Sequence, residues 1–164
     1  MDPIDFILKE HDRQLEICAL LERLLDALDT EPRSQWAERV LTYLSEDLPV
    51  HIEDEEQDLF PMLASRKGNE TEFLTILDQL ILEHESDRGL VEPLLDGLQD
   101  MAEGGAPADP NRFYMYARTF AEALRRHLNW ENRIVLPLAG KLLSDDEKAE
   151  LGKRLADRRR TDSL

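Results

Sequence analysis

The chain contains very little cysteine: Cys18 is the only one among 164 residues. A single thiol cannot form an intrachain disulfide, and it cannot supply the sets of thiolates that structural zinc sites use. Any metal must therefore be held by imidazole and carboxylate groups. Cys18 itself falls on an inward helix stripe, where we expect it to behave as a small buried hydrophobe.

Cationic residues and long apolar runs are also scarce. Lys and Arg total 20 against 36 Asp and Glu, giving a net charge of −16 that repels nucleic-acid backbones and anionic membranes. No 18-residue apolar run is present, and the N-terminal segment lacks the basic and then apolar order of a secretory signal. We therefore expect a cytoplasmic protein whose partner is a small molecule, a cation or a basic protein, rather than nucleic acid or membrane.

Apolar residues recur at helical spacing in four long segments, and no segment alternates as a strand would. Leu8 and Leu15 in the first segment, Ile81 in the third and Ile134 in the fourth belong to these stripes, so we expect them to face inward. We expect Pro49 to kink the second helix. Cap-plus-proline signals begin three of the four segments, at Asp2-Pro3, at Thr30 with Pro32, and at Asp109-Pro110. The pattern predicts helices over about 3–29, from Thr30 to about 67, from Phe73 to Gly104 and from Pro110 to about 140, with a short one over about 145–158. It indicates one all-α domain over 1–164, an antiparallel up-down-up-down four-helix bundle (about 3–140) with a short C-terminal helix.

The four histidines of the chain are distributed one to each long helix. At 1.5 Å rise per residue, His11, His51, His84 and His127 each lie roughly 21–28 Å from the adjoining loop. Consecutive helices are antiparallel, so all four imidazoles are expected at one level of the bundle. Four ordinary core histidines are the alternative, but four inward positions would coincide by chance only about 3% of the time.

Two glutamates follow histidines at a spacing of one helical turn, as His51-x-x-x-Glu55 and His127-x-x-x-Glu131. A buried carboxylate is costly unless a cation neutralises it. Four imidazoles and two carboxylates that can bridge suit two metal ions about 3.5–4 Å apart, with coordination positions left open. These donors fit iron or manganese well and zinc acceptably, and we favour iron.

Other charged residues near these motifs are expected to be structural. Glu53, Asp54, Glu56 and Asp58 are predicted to face water, although Glu56 could also replace a ligand or accept a hydrogen bond from one. The run Arg158–Arg160 is expected to interact with the dipole of the last helix.

With these motifs assembled, the chain resembles the hemerythrin-like, HHE cation-binding family over about residues 4–140. The resemblance rests on His11-Asp12, the segment HIEDEEQDLFPML from His51, Glu83-His84, and the segment HLNWENRIVLPL from His127. It implies a di-iron centre, which could be oxo- or hydroxo-bridged. Its terminal ligands would be His11, His51, His84 and His127, and its bridging carboxylates Glu55 and Glu131. It also implies binding or sensing of oxygen or nitric oxide, handling of iron, or restoration of damaged iron centres.

One departure from the family narrows these expectations. Oxygen-carrying hemerythrins have a fifth histidine one turn beyond the ligand on the third helix, and Arg88 stands there in this chain. This favours binding or sensing of O2, NO or peroxide, or iron handling, under oxidative or nitrosative stress. An enzyme that reduces NO or peroxide or repairs iron centres is the alternative, although the sequence shows no electron source. A metal-free interaction bundle would bury six polar side chains at a cost.

Overall fold

The structure is a computed structural model, and it describes residues 1–26, 33–67 and 70–161. These residues form five helices: α1 (Pro3–Asp26), α2 (33–67), α3 (Thr71–Ala102), α4 (110–142) and α5 (Asp145–Thr161). The predicted all-α class is confirmed, and α5 extends one turn further than predicted. The predicted end of the first helix and the predicted start of the second at Thr30 lie outside the described residues.

Side-chain caps fix where three of the helices begin. Asp2 and Asp109 each accept a hydrogen bond from a backbone N–H of the first turn, at 2.7 and 3.0 Å. At the start of α5, the N–H of Glu147 donates to the Ser144 hydroxyl while the N–H of Ser144 donates to the Glu147 carboxylate. α3 ends at Ala102, and Gly104, just beyond its end, has a φ of 90°, which glycine adopts without strain. These groups set the helix lengths on which the shared level of the histidines depends.

The four long helices pack in sequence order around a closed square, with α4 returning to α1. The apolar side chains form two clusters, one containing Cys18, Leu94 and Phe120 and the other containing Ile7 and Leu136. α5 packs against α1 and α2 at the second cluster. Among the described residues, none of the helices has a stretch apolar and long enough to cross a bilayer.

Three prolines in the middle of helices are accommodated by wide, π-helical turns. Each proline lies two residues beyond such a turn: Pro49 after Tyr43–Asp47, Pro61 after Asp54–Leu59, and Pro137 after Glu131–Val135. Proline lacks an N–H and its ring clashes with the carbonyl four residues back, and a wider turn relieves both problems. The kink predicted at Pro49 thus takes the form of a π-helical turn.

The second and third of these turns carry the two glutamates of the HxxxE motifs. The carbonyls of Glu55 and Glu131 accept hydrogen bonds from the N–H groups of Phe60 and Leu136, five residues on. Each turn adds a residue to the helix and rotates the residues beyond it. For this reason Val135 and Leu136 are buried, and the inward stripe predicted through Ile134 is displaced.

The predicted stripe on α1 is also wrong in part. Leu8 and Leu15 were expected to face inward, yet each is 36% exposed. The inward face instead runs through Ile7, His11, Gln14 and Cys18. The sequence pattern missed this face because Gln14 is polar and was not counted as a core position. Ile81 on α3 was likewise expected inward and is 38% exposed.

Candidate metal centre

The six side chains singled out in the sequence come together in one buried layer between the two apolar clusters. His11, His51, His84, His127, Glu55 and Glu131 are all between 0% and 3% exposed. α1 and α3 each contribute one histidine, while α2 and α4 each contribute a histidine and, one turn later, a glutamate from the π-helical turn. The level predicted from helix lengths is therefore the level at which the four imidazoles meet.

These side chains form two overlapping groups that share both carboxylates. The first position consists of His11 and His51 with Glu55 and Glu131, and the second of His84 and His127 with the same two glutamates. In each group the nearest ligand atoms all lie within 4.8 Å of one another. The imidazoles are paired accordingly, with ring centroids 5.0 Å apart at the first position and 4.6 Å apart at the second.

Every imidazole directs its Nε2 atom toward the shared carboxylates. His11 Nε2 lies 3.2 Å from Glu55 and 3.0 Å from Glu131, and His51 Nε2 lies 3.1 Å from Glu55. His84 Nε2 lies 3.1 Å from Glu55, and His127 Nε2 contacts Glu131. Each carboxylate therefore meets imidazoles of both positions, as a bridging ligand must.

In the metal-free chain, protons on His11, His84 and His127 balance the carboxylates. Burial alone lowers the pKa of His11, but the adjacent carboxylates of Glu131 and Glu55 outweigh this effect and raise the pKa to about 10. The same balance raises the pKa of His84 to about 11 and that of His127 to about 9. Burial and the charge of Glu55 both raise the pKa of Glu131, yet the histidines bring it down to about 2.

The geometry of the polar atoms fits a bound cation better than a closed hydrogen-bond network. Glu55 Oε2, both carboxylate oxygens of Glu131 and His127 Nε2 are buried without a well-directed hydrogen bond. Imidazole nitrogens lie within ion-pair distance of these oxygens, but the atoms are aimed at a common space rather than at one another. Nitrogen and oxygen donors without sulfur suit a first-row transition metal there.

The chain matches the Hemerythrin HHE cation binding domain over residues 2–139. It belongs to the hemerythrin HHE cation-binding family. It is also similar to an uncharacterised protein of Haemophilus influenzae, with 26% identity over 163 residues that cover 96% of this chain and 90% of that protein. The family and the buried groups of histidine and glutamate together indicate metal binding.

The Nδ1 atoms of the hemerythrin-type histidines point away from the centre, and three of them have partners. With Nδ1 protonated, His84 donates to Glu56 at 2.9 Å and His127 donates to Glu83 at 2.8 Å. Glu56 thus accepts a hydrogen bond from His84, so the expectation that it simply faces water is wrong, while the assignment of His84 as a metal ligand stays a prediction. Sequence reasoning missed the role of Glu83, although its place directly before His84 puts it on the side of α3 that faces α4.

The first position has different Nδ1 partners. His11 Nδ1 donates to the side-chain oxygen of Asn132 at 2.5 Å, and His51 Nδ1 has no hydrogen-bond partner among the described residues. Asn132 was also missed. The available signal was its place directly after Glu131, which matches the place of Glu56 directly after Glu55.

Arg88 stands where oxygen-carrying hemerythrins have a further histidine, and it does not enter the site. Its guanidinium is exposed and lies 3.5 Å from Glu56. Arg88 therefore contacts the carboxylate that accepts from His84. It contributes no donor to the buried layer formed by the four histidines with Glu55 and Glu131, which we call the metal layer. The two positions are left with the same set of histidine and glutamate donors.

A second buried acidic cluster lies beside the metal layer and corrects two predictions. Asp54 and Asp58 were expected to face water, but both are buried. Arg158 of α5 contacts both, and Arg159 and Arg154 bind Asp54 and Asp58 at 2.7 and 3.1 Å. The terminal arginines thus neutralise these carboxylates rather than only the helix dipole, because α5 folds back against the turn that carries them.

Proposed function

We propose that this protein is a non-haem di-iron hemerythrin that binds a small ligand such as O2, NO or peroxide. The observation that carries the proposal is the pair of overlapping donor groups with two shared carboxylates. His11 and His51 would hold one iron, His84 and His127 the other, and Glu55 and Glu131 would bridge them. When bound, the iron pair would supply redox chemistry and coordination positions open to an incoming ligand.

The donor set leaves room for such a ligand. Two imidazole nitrogens and one oxygen from each bridging glutamate give four donors per metal, fewer than iron commonly takes. Arg88 supplies no fifth protein ligand. Both positions are therefore open in the same way, which favours reversible binding or sensing over the specialised carriage of oxygen.

The surroundings of the site restrict what can reach it. The six donors are almost wholly buried, and Phe60 stacks on the ring of His84. A mostly apolar groove of about 200 Å³ between α3 and α4 is lined by Leu80, Trp130 and Glu83, the carboxylate that accepts from His127. The apolar lining of this groove suits a diatomic molecule or peroxide, which would approach the buried donors past Glu83 and Trp130.

The test is to load the metal-free chain anaerobically with Fe²⁺ and add NO or O2 while recording optical spectra. A hemerythrin of this kind should give a spectral change that saturates at a fixed amount of ligand per chain and reverses when the ligand is removed. Glu85→Gln is the matched control, because it removes an exposed carboxylate beside His84 and should leave the change intact. Glu55→Gln should abolish it.

An enzyme would behave differently in the same apparatus. Repeated consumption of NO or peroxide after addition of a reductant would favour the reductase alternative over stoichiometric binding. Loading with iron but no spectral response to any of the three ligands would contradict the proposal and favour a role in handling iron alone.

A further inference from the structure

The metal layer has an internal two-fold pattern that reaches the residues surrounding the ligands. A glutamate directly precedes the histidine on α1 and on α3, as Glu10-His11 and Glu83-His84. A polar residue directly follows the bridging glutamate on α2 and on α4, as Glu56 and Asn132. Glu83, Glu56 and Asn132 each accept a hydrogen bond from the Nδ1 atom of a histidine on a neighbouring helix, and Glu10 occupies the fourth equivalent place in the pattern.

At the second position both acceptors are carboxylates. His84 donates to Glu56 and His127 donates to Glu83, at 2.9 and 2.8 Å. A carboxylate acceptor makes the imidazole a stronger donor and adds negative charge close to the cation. This position therefore has two further anionic groups beyond the shared glutamates, although the exposed guanidinium of Arg88 lies 3.5 Å from one of them, Glu56.

At the first position the two corresponding residues supply less negative charge. Asn132 offers His11 a neutral amide oxygen where Glu56 offers a carboxylate. Glu10, the counterpart of Glu83, is bound by Arg13 at 3.1 Å, and Arg13 is held in turn by Asp47 at 3.0 Å. Its charge is thus shared with a guanidinium, and His51 is left without a hydrogen bond at Nδ1.

We infer that the two metal positions are unequal, and that the pair His84 and His127 retains its ion while the pair His11 and His51 is the exchangeable one. The inference rests on the proposed metal-binding function and adds the order in which the positions fill and empty. It follows from the neighbours of the ligands, since the ligands themselves are the same at both positions. Losses of acceptors of this kind typically cost about 10- to 100-fold in metal affinity.

The experiment titrates the full metal-free chain with Fe²⁺ under anaerobic conditions and follows binding by calorimetry. Two steps alone would prove little, because repulsion between neighbouring cations separates the steps even at identical positions. Which position fills in each step must therefore be found by removing one ligand at a time. His11→Ala should leave one ion bound with the affinity of the tighter wild-type step, and His84→Ala should leave one ion bound about 10-fold more weakly.

Two gentler variants test the cause without removing a ligand. Glu83→Gln should weaken the tighter step about 10-fold and spare the other, while its neighbour Glu85→Gln, with an exposed side chain, should change neither. Asn132→Asp should strengthen the weaker step and bring the two affinities together. Circular dichroism of each variant identifies any that do not fold, and the gentler pair keeps the test decisive if an alanine variant fails.

The outcomes separate the inference from the function on which it rests. A wild-type chain that binds no Fe²⁺ would overturn the proposed function and the inference with it. Two ions bound by the wild type, but with His11→Ala and His84→Ala equally impaired, would overturn the inference alone. So would a Glu83→Gln variant that weakens both steps to the same extent.

Discussion

Asp54 and Glu55 are consecutive residues on one π-helical turn, both buried, and they face opposite environments. Asp54 points toward α5, where Arg158 and Arg159 contact its carboxylate. Glu55 points into the bundle, where it meets the Nε2 atoms of three histidines. The two carboxylates have the same need for positive charge, and the chain meets it with two different kinds of cation.

This difference in the cation makes the cluster around Asp54 a permanent part of the fold, whereas the cluster around Glu55 can replace protons by metal. Arginine keeps its proton in proteins, so the charge around Asp54 is permanent and belongs to the fold. Imidazole can give up its proton, so the charge around Glu55 can be handed to a metal ion. The first cluster should therefore contribute stability whether or not metal is bound, whereas the contribution of the second should depend on metal.

His51→Ala should give the largest change in the stability that depends on metal. At free Fe²⁺ about 1,000-fold above its dissociation constant, the wild-type chain should gain about 4 kcal/mol over the metal-free chain. The variant should lose the ion at the first position together with the share of the gain which that ion supplies, and it should keep the ion held by His84 and His127. Urea unfolding with and without a chelator measures both stabilities, and an equal gain in variant and wild type would place His51 outside the metal site.

Arg158→Ala should break the other cluster. Removing the residue that contacts both Asp54 and Asp58 should cost about 3 kcal/mol, because buried carboxylates are left with too little positive charge. The loss should be the same in metal-free and metal-loaded protein. Arg160→Ala is the control, since its only ion-pair partner in the described part of the chain is Asp157 at the surface, and it should change the stability by about 0.5 kcal/mol or less. A loss confined to the metal-loaded form would show that the arginines act through the metal layer.

A third buried carboxylate, Asp87 on α3, allows the free-energy cost of burying such a group to be measured. Burial raises its pKa to about 6, and the charges of His127 and His84 offset this only in part. A folded-state pKa above the unfolded value makes the protonated form the stable one, so stability is full below about pH 4 and falls as the pH rises toward about 6. Asp87→Asn should therefore stabilise the metal-free chain by about 2 kcal/mol at pH 7.5 and have little effect at pH 4. Equal effects at both pH values would show that Asp87 is not protonated on folding.

The helical class and the six residues of the metal layer could be predicted from the sequence because both rest on short-range regularities. The cap-plus-proline signals at Asp2 and Asp109 fix two helix starts, and the resulting helix lengths fix the level of the histidines. The HxxxE spacing places a carboxylate beside an imidazole on one face of a helix whatever the rest of the chain does.

The partners of these residues could not be predicted in the same way, because they depend on which neighbouring helix faces a side chain. Asp54 and Asp58 look like solvent-facing acids on α2, and only the return of α5 brings arginines to them. Glu83 and Asn132 reach histidines on other helices. The added residue in each π-helical turn also moves the inward stripe by an amount that apolar spacing does not reveal.

The proposal that the chain holds two iron ions is tested most directly by native mass spectrometry of the full chain purified from iron-supplied cells. We expect two iron ions per chain in the wild type and in Glu85→Gln. We expect loss of metal in Glu55→Gln, because the Glu55 carboxylate faces both positions. A wild-type chain that is free of metal and yet as stable as after loading with iron would contradict the proposal. So would a Glu55→Gln variant that keeps both ions.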